Sequence, residues 1–224
     1  MRTIKLLNST IMHAELIDVH SRLSELGLTL AALQEAVNAG YLARTRLTLH
    51  HPRIYWGYVF WAETVAELRN QLRVQGWDKT DNGNYERTVN PEKDIAIVVT
   101  TGDGGTGCTD LNASNRNPKG TNTVDAIEEN ICQLSLPILD NNQSLQQNST
   151  SCITWILLVH VAKNEIRSEL SIPLKIEKGK ILSWKERIIL PATPRDDDGF
   201  DIDIDYNNTP PLPPEIDIPV MRRL

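Results

Sequence analysis

A glycine-rich segment, the Gly-rich loop (residues 100–123), contains the residue types of a phosphate-binding loop. Its glycines follow the pattern G-x-G-x-x-G directly after the apolar run 95–99, which is typical of a buried strand. In dinucleotide-binding proteins such glycines let backbone amides approach a pyrophosphate at the start of the next helix. The residues that follow, LNASNRNPKG, do not have the pattern of a helix start, so a flexible connection is favoured over a binding loop for an unspecified ligand. The candidate ligand-binding residues are Gly102, Asp103, Gly104, Gly105, Thr106, Gly107, Asp110 and Lys119.

The C-terminal arm (residues 195–224) contains a second patterned segment, in which apolar residues alternate with aspartates over residues 200–206. Only an extended chain places all of these apolar side chains on one side and all of the carboxylates on the other. We therefore predict a strand that pairs with a sheet edge, either in this protein or in a partner with a basic surface; a solvated acidic tail is the alternative. The candidate partner-binding residues are Phe200, Asp201, Ile202, Asp203, Ile204, Asp205 and Tyr206.

The histidines and cysteines do not form a recognisable metal or catalytic motif. His13 and His20 are seven residues apart, whereas helical two-histidine metal sites use a spacing of four. The three cysteines include no C-x-x-C pair, which indicates reduced thiols rather than a zinc site or a disulfide framework. No order of Ser, His and Asp marks a nucleophile. The sequence therefore predicts no metal and no cofactor, and it favours a protein that is not an enzyme.

The negative charge of the chain is concentrated in the C-terminal arm. Residues 195–224 carry eight acidic residues and three arginines, and the rest of the chain carries 21 acidic and 20 basic residues. Nucleic-acid affinity comes from clustered Lys and Arg, so nucleic acid is not expected as the sole partner. Residues 12–39 have the spacing of a helix-turn-helix, but the second helix would offer Gln34, Glu35 and Asn38 instead of cations. Ordinary helical packing is the favoured interpretation of these residues.

The first 77 residues have the apolar spacing of helices. Thr29 is the expected N-cap of the second helix and Gly40 its expected end, and the aromatic segment 54–58 is interpreted as a connector to the third. Thr121 or Thr123 is expected to cap a short helix beyond the Gly-rich loop. The predicted helices cover residues 11–26, 30–38, 61–74 and 124–130.

Residues 78–194 have the patterns of strands. The runs 95–99 and 153–161 are apolar throughout, and residues 165–172 alternate between apolar and polar side chains. Short turns between consecutive strands imply antiparallel pairing. One face of the last strand is expected to carry Leu182, Trp184, Ile188 and Leu190. The predicted core includes Trp61, Leu68, Trp155, Leu158 and Trp184.

These patterns predict the architecture and the class of the protein. We predict an α+β fold in which N-terminal helices pack with a C-terminal antiparallel sheet of four or more strands, followed by an acidic, Pro-containing arm. Residues 1–194 are expected to form a single domain, with a helical part over 1–77 and a sheet part over 78–194. No apolar segment is long enough for a membrane span, and the N-terminus lacks the features of a signal peptide, so a cytoplasmic protein is expected.

The function predicted from these features is that of a non-enzymatic interaction protein. It would be an accessory or adaptor subunit of a larger intracellular assembly, and its partner would be another protein. One alternative is an enzyme or small-ligand-binding domain that uses the Gly-rich loop. A second alternative is a nucleic-acid-associated factor that uses the N-terminal helices.

Overall fold

A seven-stranded sheet lies at the centre of the computed structural model, which describes residues 10–92, 94–135 and 152–195. The strands are β1 (Ile11–His13), β2 (Asp78–Thr80), β3 (Arg87–Asn90), β4 (Ile95–Thr101), β5 (Ile153–Val161), β6 (Glu165–Glu177) and β7 (Lys180–Pro194). The helices are α1 (Leu16–Glu25), α2 (Leu30–Thr45), α3 (Arg53–Arg73) and α4 (Thr121–Ser135), with a short 3-10 turn at Asn82–Asn84. The strand order is β1-β7-β6-β5-β4-β3-β2.

The sheet is mixed, so the prediction of a purely antiparallel sheet is wrong. β1 runs parallel to β7 and β4 runs parallel to β5, while the other four neighbouring pairs are antiparallel. Parallel neighbours need a long crossover, and between β4 and β5 the Gly-rich loop and α4 lie on that crossover. β1 occupies residues that were predicted to begin the first helix. The prediction failed because the strand is defined by pairing with Glu186–Ile188, and residues so distant in the sequence do not affect a local pattern. The predicted order, helices first and most strands later, is confirmed.

Helices α1, α2 and α3 cover one face of the sheet and enclose the larger core. Leu23, Leu33 and Leu68 are fully buried there, and they belong to the same cluster as Trp155 and Leu170 of the sheet. Burial of each such side chain contributes about 1.5–3 kcal/mol to stability. Among the described residues, no helix is long and apolar enough to cross a bilayer.

The α2–α3 hairpin differs from the prediction on both sides of its turn. α2 continues past Gly40, and α3 begins at Arg53, so the segment 54–58 is helical and is not a connector. A Cβ atom at Gly40 would overlap Thr64 Oγ1 and the Phe60 carbonyl oxygen. Gly40 therefore allows the two helices to approach closely and does not end α2.

Helix α4 and the Gly-rich loop cover the opposite face of the sheet. Asn130 fixes α4 to β5, because its side chain both donates to and accepts from the backbone of Thr154, each at 2.8 Å. The smaller core on this face comprises Ala113, Ile127, Ile156, Leu158, Ile181 and Trp184. Four residues of the predicted core, Leu68, Trp155, Leu158 and Trp184, are at most 2% exposed, and Trp61 is partly buried against the larger core.

The side chains of strand β7 switch between the two faces of the sheet at a bulge, which simple alternation did not predict. Ile172 of β6 pairs with Glu186, but the next residue, Pro173, pairs with Trp184, so Lys185 is an extra residue on β7. Such a bulge reverses which side chains point to each face. Trp184 therefore packs in the smaller core, whereas Ile188 and Leu190 pack in the larger core and Leu182 is 41% exposed.

The outer edge of β7 is only partly covered by the three residues of β1. Beyond β1, side chains from other parts of the fold donate hydrogen bonds to carbonyl groups of this strand. They are Thr10 to Trp184 (2.8 Å), Asn112 to Leu182 (2.9 Å) and Gln34 to Pro191 (3.4 Å). Unpaired carbonyl groups at a sheet edge can accept hydrogen bonds from an added strand. Because these side chains already donate to them, they protect β7 from strand addition.

Candidate functional site

The Gly-rich loop lies across the face of the sheet and is attached to it by Arg187 of β7. The Arg187 guanidinium donates to the carbonyl groups of Leu111 (2.8 Å), Cys108 (3.0 Å) and Gly105 (3.4 Å). Arg167 of β6 donates to the Gly104 carbonyl (3.1 Å) and also contacts Cys108 Sγ. Two arginines from adjacent strands therefore hold the loop through its backbone.

A buried ion pair between Glu169 and Arg187 stabilises this attachment. Their side chains are 0% and 3% exposed, and the shortest distance between Glu169 Oε2 and an Arg187 nitrogen is 2.6 Å. Glu169 also accepts hydrogen bonds from Ser171 Oγ (2.9 Å) and from the backbone amide of Gly107 (2.8 Å). A buried charge is tolerated when a counter-charge and hydrogen bonds replace its hydration, and all of these are present here.

Most backbone amides of the loop donate hydrogen bonds to acceptors inside the protein. A phosphate-binding loop instead directs its amides at the ligand. Among the amides of residues 102–108, that of Gly104 has no internal acceptor in the described structure. The other amides donate as follows: Gly102 to Val159 O, Asp103 to Ser114 O, Gly105 to Asp103 Oδ1, Thr106 to Asp103 O, Gly107 to Glu169 Oε2 and Cys108 to Gly105 O.

The glycines of the G-x-G-x-x-G pattern have local structural reasons to be glycine. A Cβ atom at Gly102 would overlap Thr106 Oγ1, and one at Gly105 would overlap the Asn112 carbonyl oxygen. Gly107 has a φ of +71°, a left-handed conformation that favours glycine, and it lies against β6. Gly104 has open space around it. The pattern that suggested a ligand therefore also follows from close packing of the loop.

The remaining loop candidates lie in different environments. Asp103 Oδ1 accepts from the amides of Gly105 (3.1 Å) and Ser114 (3.0 Å), so this carboxylate organises the loop itself. Thr106 is fully buried, Asp110 is exposed, and burial lowers the pKa of Lys119. Binding of a ligand by this loop remains a prediction.

A charged cleft of about 320 Å³, which was not predicted from the sequence, lies between α1 and the β1–β7 edge. Glu186 is buried there and accepts from Arg22 Nε (2.5 Å) and Arg22 Nη2 (3.0 Å), with His13 Nε2 at 3.2 Å. Arg22 also donates to Glu25 (2.6 Å). Glu186 and Arg22 are 164 residues apart, so no local pattern could have indicated this cluster. The lining contains one arginine and three acidic residues, Asp18, Glu25 and Glu186, and Arg22 is ion-paired with the last two.

An apolar stripe along α3 has an exposed end that could bind a partner. Its residues recur at alternating intervals of four and three, so they share one face of the helix. Towards the C-terminal end of α3 the stripe is covered, because Val65 is 6% exposed and Leu68 and Leu72 are 0% exposed. Towards the N-terminal end Ile54 is 82% and Tyr58 is 60% exposed. The stripe comprises Ile54, Tyr58, Trp61, Val65, Leu68 and Leu72.

The exposed end of this stripe belongs to the hairpin tip (residues 42–58), which comprises the end of α2, the turn and the start of α3. Leu42 and Leu49 add further apolar surface, with exposed fractions of 56% and 68%. The tip contains three arginines, and no acidic residue occurs between Glu35 and Glu63. The tip is therefore both apolar and positively charged. Its arginines are Arg44, Arg46 and Arg53.

Two of these arginines have no ion pair with an acidic side chain in the described part of the chain, namely Arg46 and Arg53. The guanidinium of Arg44 lies 5.9 Å from the centre of the Trp56 ring, which places the end of α2 beside the first turn of α3. The tip was not predicted from the sequence, because residues 54–58 were interpreted as a connector. The signal was present: the heptad-like spacing of Trp61, Val65, Leu68 and Leu72 extends back to Ile54 and Tyr58.

The candidate partner-binding residues of the C-terminal arm, 200–206, lie outside the described residues. The last described residue, Arg195, is held at the body of the protein. Its Nη1 donates to the Ala162 carbonyl oxygen (2.7 Å), and its Nε donates to the hydroxyl oxygen of Tyr41 on α2 (3.3 Å). Arg195, the first residue of the arm, is therefore within side-chain reach of the residue that precedes the hairpin tip.

Within the described residues, no group of three or more His, Cys, Asp or Glu side chains is arranged to hold a metal ion. No family model, no curated protein and no solved structure gives a significant match to this chain.

Proposed function

We propose that this chain is a non-enzymatic interaction protein that binds a partner protein through the hairpin tip. The observation that carries the proposal is the α3 stripe, which has the spacing of a packing surface along the whole helix but is covered only over its C-terminal half. Contiguous exposed apolar surface of this kind marks interaction sites in many proteins. Aromatic residues and arginines, which are enriched at the centres of protein interfaces, lie together here.

The polar clusters of the described residues support a binding role over a catalytic one. Glu169 and Arg187 hold the Gly-rich loop, and Glu186 and Arg22 join α1 to β7. Each of these groups is paired inside the protein, so its hydrogen-bonding capacity serves the fold. An enzyme needs polar groups that face a substrate.

A matched pair of exposed residues at the two ends of α3 provides the test. Ile54 lies in the first turn of this helix and Val74 directly follows its last residue, with exposed fractions of 82% and 86%. A photo-crosslinking residue would replace either one in the tagged full chain, expressed at its native level. We expect Ile54 to crosslink to a defined protein and Val74 not to do so. Crosslinking of the same proteins from both positions, or from neither, would refute the assignment of the tip.

Substitution at the same two positions tests the energetic role of the tip. Ile54→Asp should weaken the affinity for the crosslinked partner by about thirtyfold, the effect of a typical hot-spot residue. Val74→Asp should leave that affinity unchanged. Both variants should unfold at the same temperature as the parent protein, since neither side chain is buried. Equal affinities for the partner would contradict the proposal.

Single-stranded nucleic acid is a second candidate for the same surface, because Tyr55 and Tyr58 are exposed beside three arginines. Base stacking on aromatic rings with basic residues nearby is the usual arrangement for such binding. The test is titration of a labelled oligonucleotide at several salt concentrations. Strong, salt-dependent binding that Tyr58→Ala removes would favour nucleic acid. The exposed Leu42, Leu49 and Ile54 favour protein.

A further inference from the structure

The C-terminal arm has the charge that the hairpin tip lacks. Residues 196–205 contain six aspartates and no basic residue, whereas residues 42–58 contain three arginines and no acidic residue. We propose that residues 200–206 of the arm dock on the hairpin tip of the same chain and cover its apolar surface in the free protein. The biological meaning of this contact, competition with a partner, rests on the proposed function, but the contact itself does not.

The starting point of the arm makes this contact within reach. Arg195 is bonded to Ala162 and to Tyr41, and Tyr41 lies one residue before the tip. From Arg195 to Phe200 an extended chain spans about 17 Å. From Tyr41 to the end of α2 the helix rises only about 6 Å, and α3 begins beside it. The patterned segment can therefore reach the start of α3 without any rearrangement of the body.

The spacing of the apolar side chains also fits. In an extended segment, alternate side chains on one side are about 6.7 Å apart, so three of them cover about 13 Å. On α3, Ile54, Tyr58 and Trp61 cover seven residues, which is about 10 Å of helix. Phe200, Ile202 and Ile204 can thus lie along this part of the stripe. The aspartates between them would then face away from the stripe, towards water and the neighbouring arginines.

The edges of the described sheet are less suitable for the arm. On β7, carbonyl groups accept hydrogen bonds from Thr10, Gln34 and Asn112, or pair with β1. On β2, the strand comprises only three residues, Asp78–Thr80, and is too short to pair with all seven residues of the segment 200–206. The hairpin tip offers apolar surface and positive charge instead.

Intramolecular crosslinking in the purified full chain tests the proposal without any partner. A photo-crosslinking residue replaces Tyr58 and, as the control at the opposite end of α3, Val74. We expect Tyr58 to crosslink to residues 200–206 in monomeric protein, at a yield at least about tenfold above that from Val74. Raising the salt concentration from about 0.1 M to 1 M, which shortens the screening length from about 10 to 3 Å, should lower the yield.

A second pair of variants separates docking from random collisions of a tethered segment. Ile202→Asp combined with Ile204→Asp should reduce the crosslink about tenfold, whereas Ile216→Asp combined with Ile218→Asp, later in the arm, should not. Equal yields for the two variants, or no crosslink to the arm, would overturn the proposal. Crosslinked dimers would also overturn it, and would assign the tip to the arm of a second copy. A partner captured from Ile54 together with an undocked arm would show that the proposed function holds and this inference fails.

Discussion

Replacing Arg187 by methionine should destabilise the protein by about 3–5 kcal/mol, because it leaves the Glu169 carboxylate buried without its counter-charge. Methionine keeps much of the volume of the side chain, so the change is mainly electrostatic. The variant also removes the donors to Gly105, Cys108 and Leu111, and the Gly-rich loop loses its attachment to β7. This effect is a large part of the 5–15 kcal/mol that stabilises a typical domain.

The double variant Glu169→Gln with Arg187→Met shows whether charge burial is the cause. It removes both charges, while the amide oxygen of the new Gln side chain can still accept from the Gly107 amide. We expect it to recover at least half of the lost stability, since removing both partners of a buried pair costs much less than removing one. Lys175→Met is the exposed control. Lys175 and Glu177 of β6 are more than half exposed, and a surface pair of this kind contributes at most about 1 kcal/mol.

Urea unfolding followed by tryptophan fluorescence measures these differences as shifts of the midpoint at constant slope. Hydrogen exchange at the Gly107 amide gives an independent measurement, and exchange there should accelerate in Arg187→Met. An Arg187→Met variant within about 1 kcal/mol of the parent would refute the electrostatic account. So would a double variant that is no more stable than the single one.

Three further predictions follow from the packing. Gly105→Ala should destabilise the protein by about 1–3 kcal/mol, because the added Cβ overlaps the Asn112 carbonyl. Gly104→Ala, where the space is open, should change stability by less than about 1 kcal/mol. Equal effects of the two substitutions in urea unfolding would contradict the account of the loop. Burial raises the pKa of Tyr85 to about 12 from 10.0, so stability should fall by up to about 3 kcal/mol as the pH rises from 10 to 12. Tyr85→Phe should lose this part of the pH dependence, and an unchanged profile would count against burial as its cause. Trp184→Ala should cost about 3–5 kcal/mol in the same unfolding assay, and an unchanged midpoint would show that this ring does not support the smaller core.

Local periodicity predicted the features that depend on neighbouring residues. The stripe of Trp61, Val65, Leu68 and Leu72 faces the core or its margin, Thr29 caps α2, and a helix follows the Gly-rich loop. These features follow from the 3.6-residue repeat and from capping, which do not require knowledge of distant contacts.

Features that depend on contacts between distant residues were not predictable from the pattern. Alternation correctly placed Arg167 and Glu169 on one face of β6, but it could not show that the Gly-rich loop covers that face. The bulge at Lys185 depends on how β6 and β7 pair, so Trp184 was assigned to the wrong side relative to Ile188. The same reason applies to β1, whose strand conformation depends on pairing with β7.

For the candidate site, the sequence supplied the residues but not their environment. The Gly-rich loop was singled out by its composition, whereas the packing reasons for Gly102 and Gly105 lie in their close contacts with Thr106 and Asn112. The helical part of the hairpin tip was not predicted, because the aromatic residues before Trp61 were interpreted as a connector between helices. Its exposure could not be predicted, because burial of a helix depends on contacts with residues that are distant in the sequence.

β1 can pair with β7 only after nearly the whole described part of the chain has been synthesised. Thr10 donates to the carbonyl group of Trp184, 174 residues away, and β1 pairs with the adjoining residues of β7. A ribosome adds about 5–20 residues per second, so this part of the sheet cannot close until on the order of ten seconds or more after Thr10 is added. For much of that time α1, α2 and α3 have been synthesised but lack the residues that β7 contributes to the larger core, Ile188 and Leu190. A nascent chain of this protein should therefore bind chaperones that recognise apolar helices until β7 has emerged.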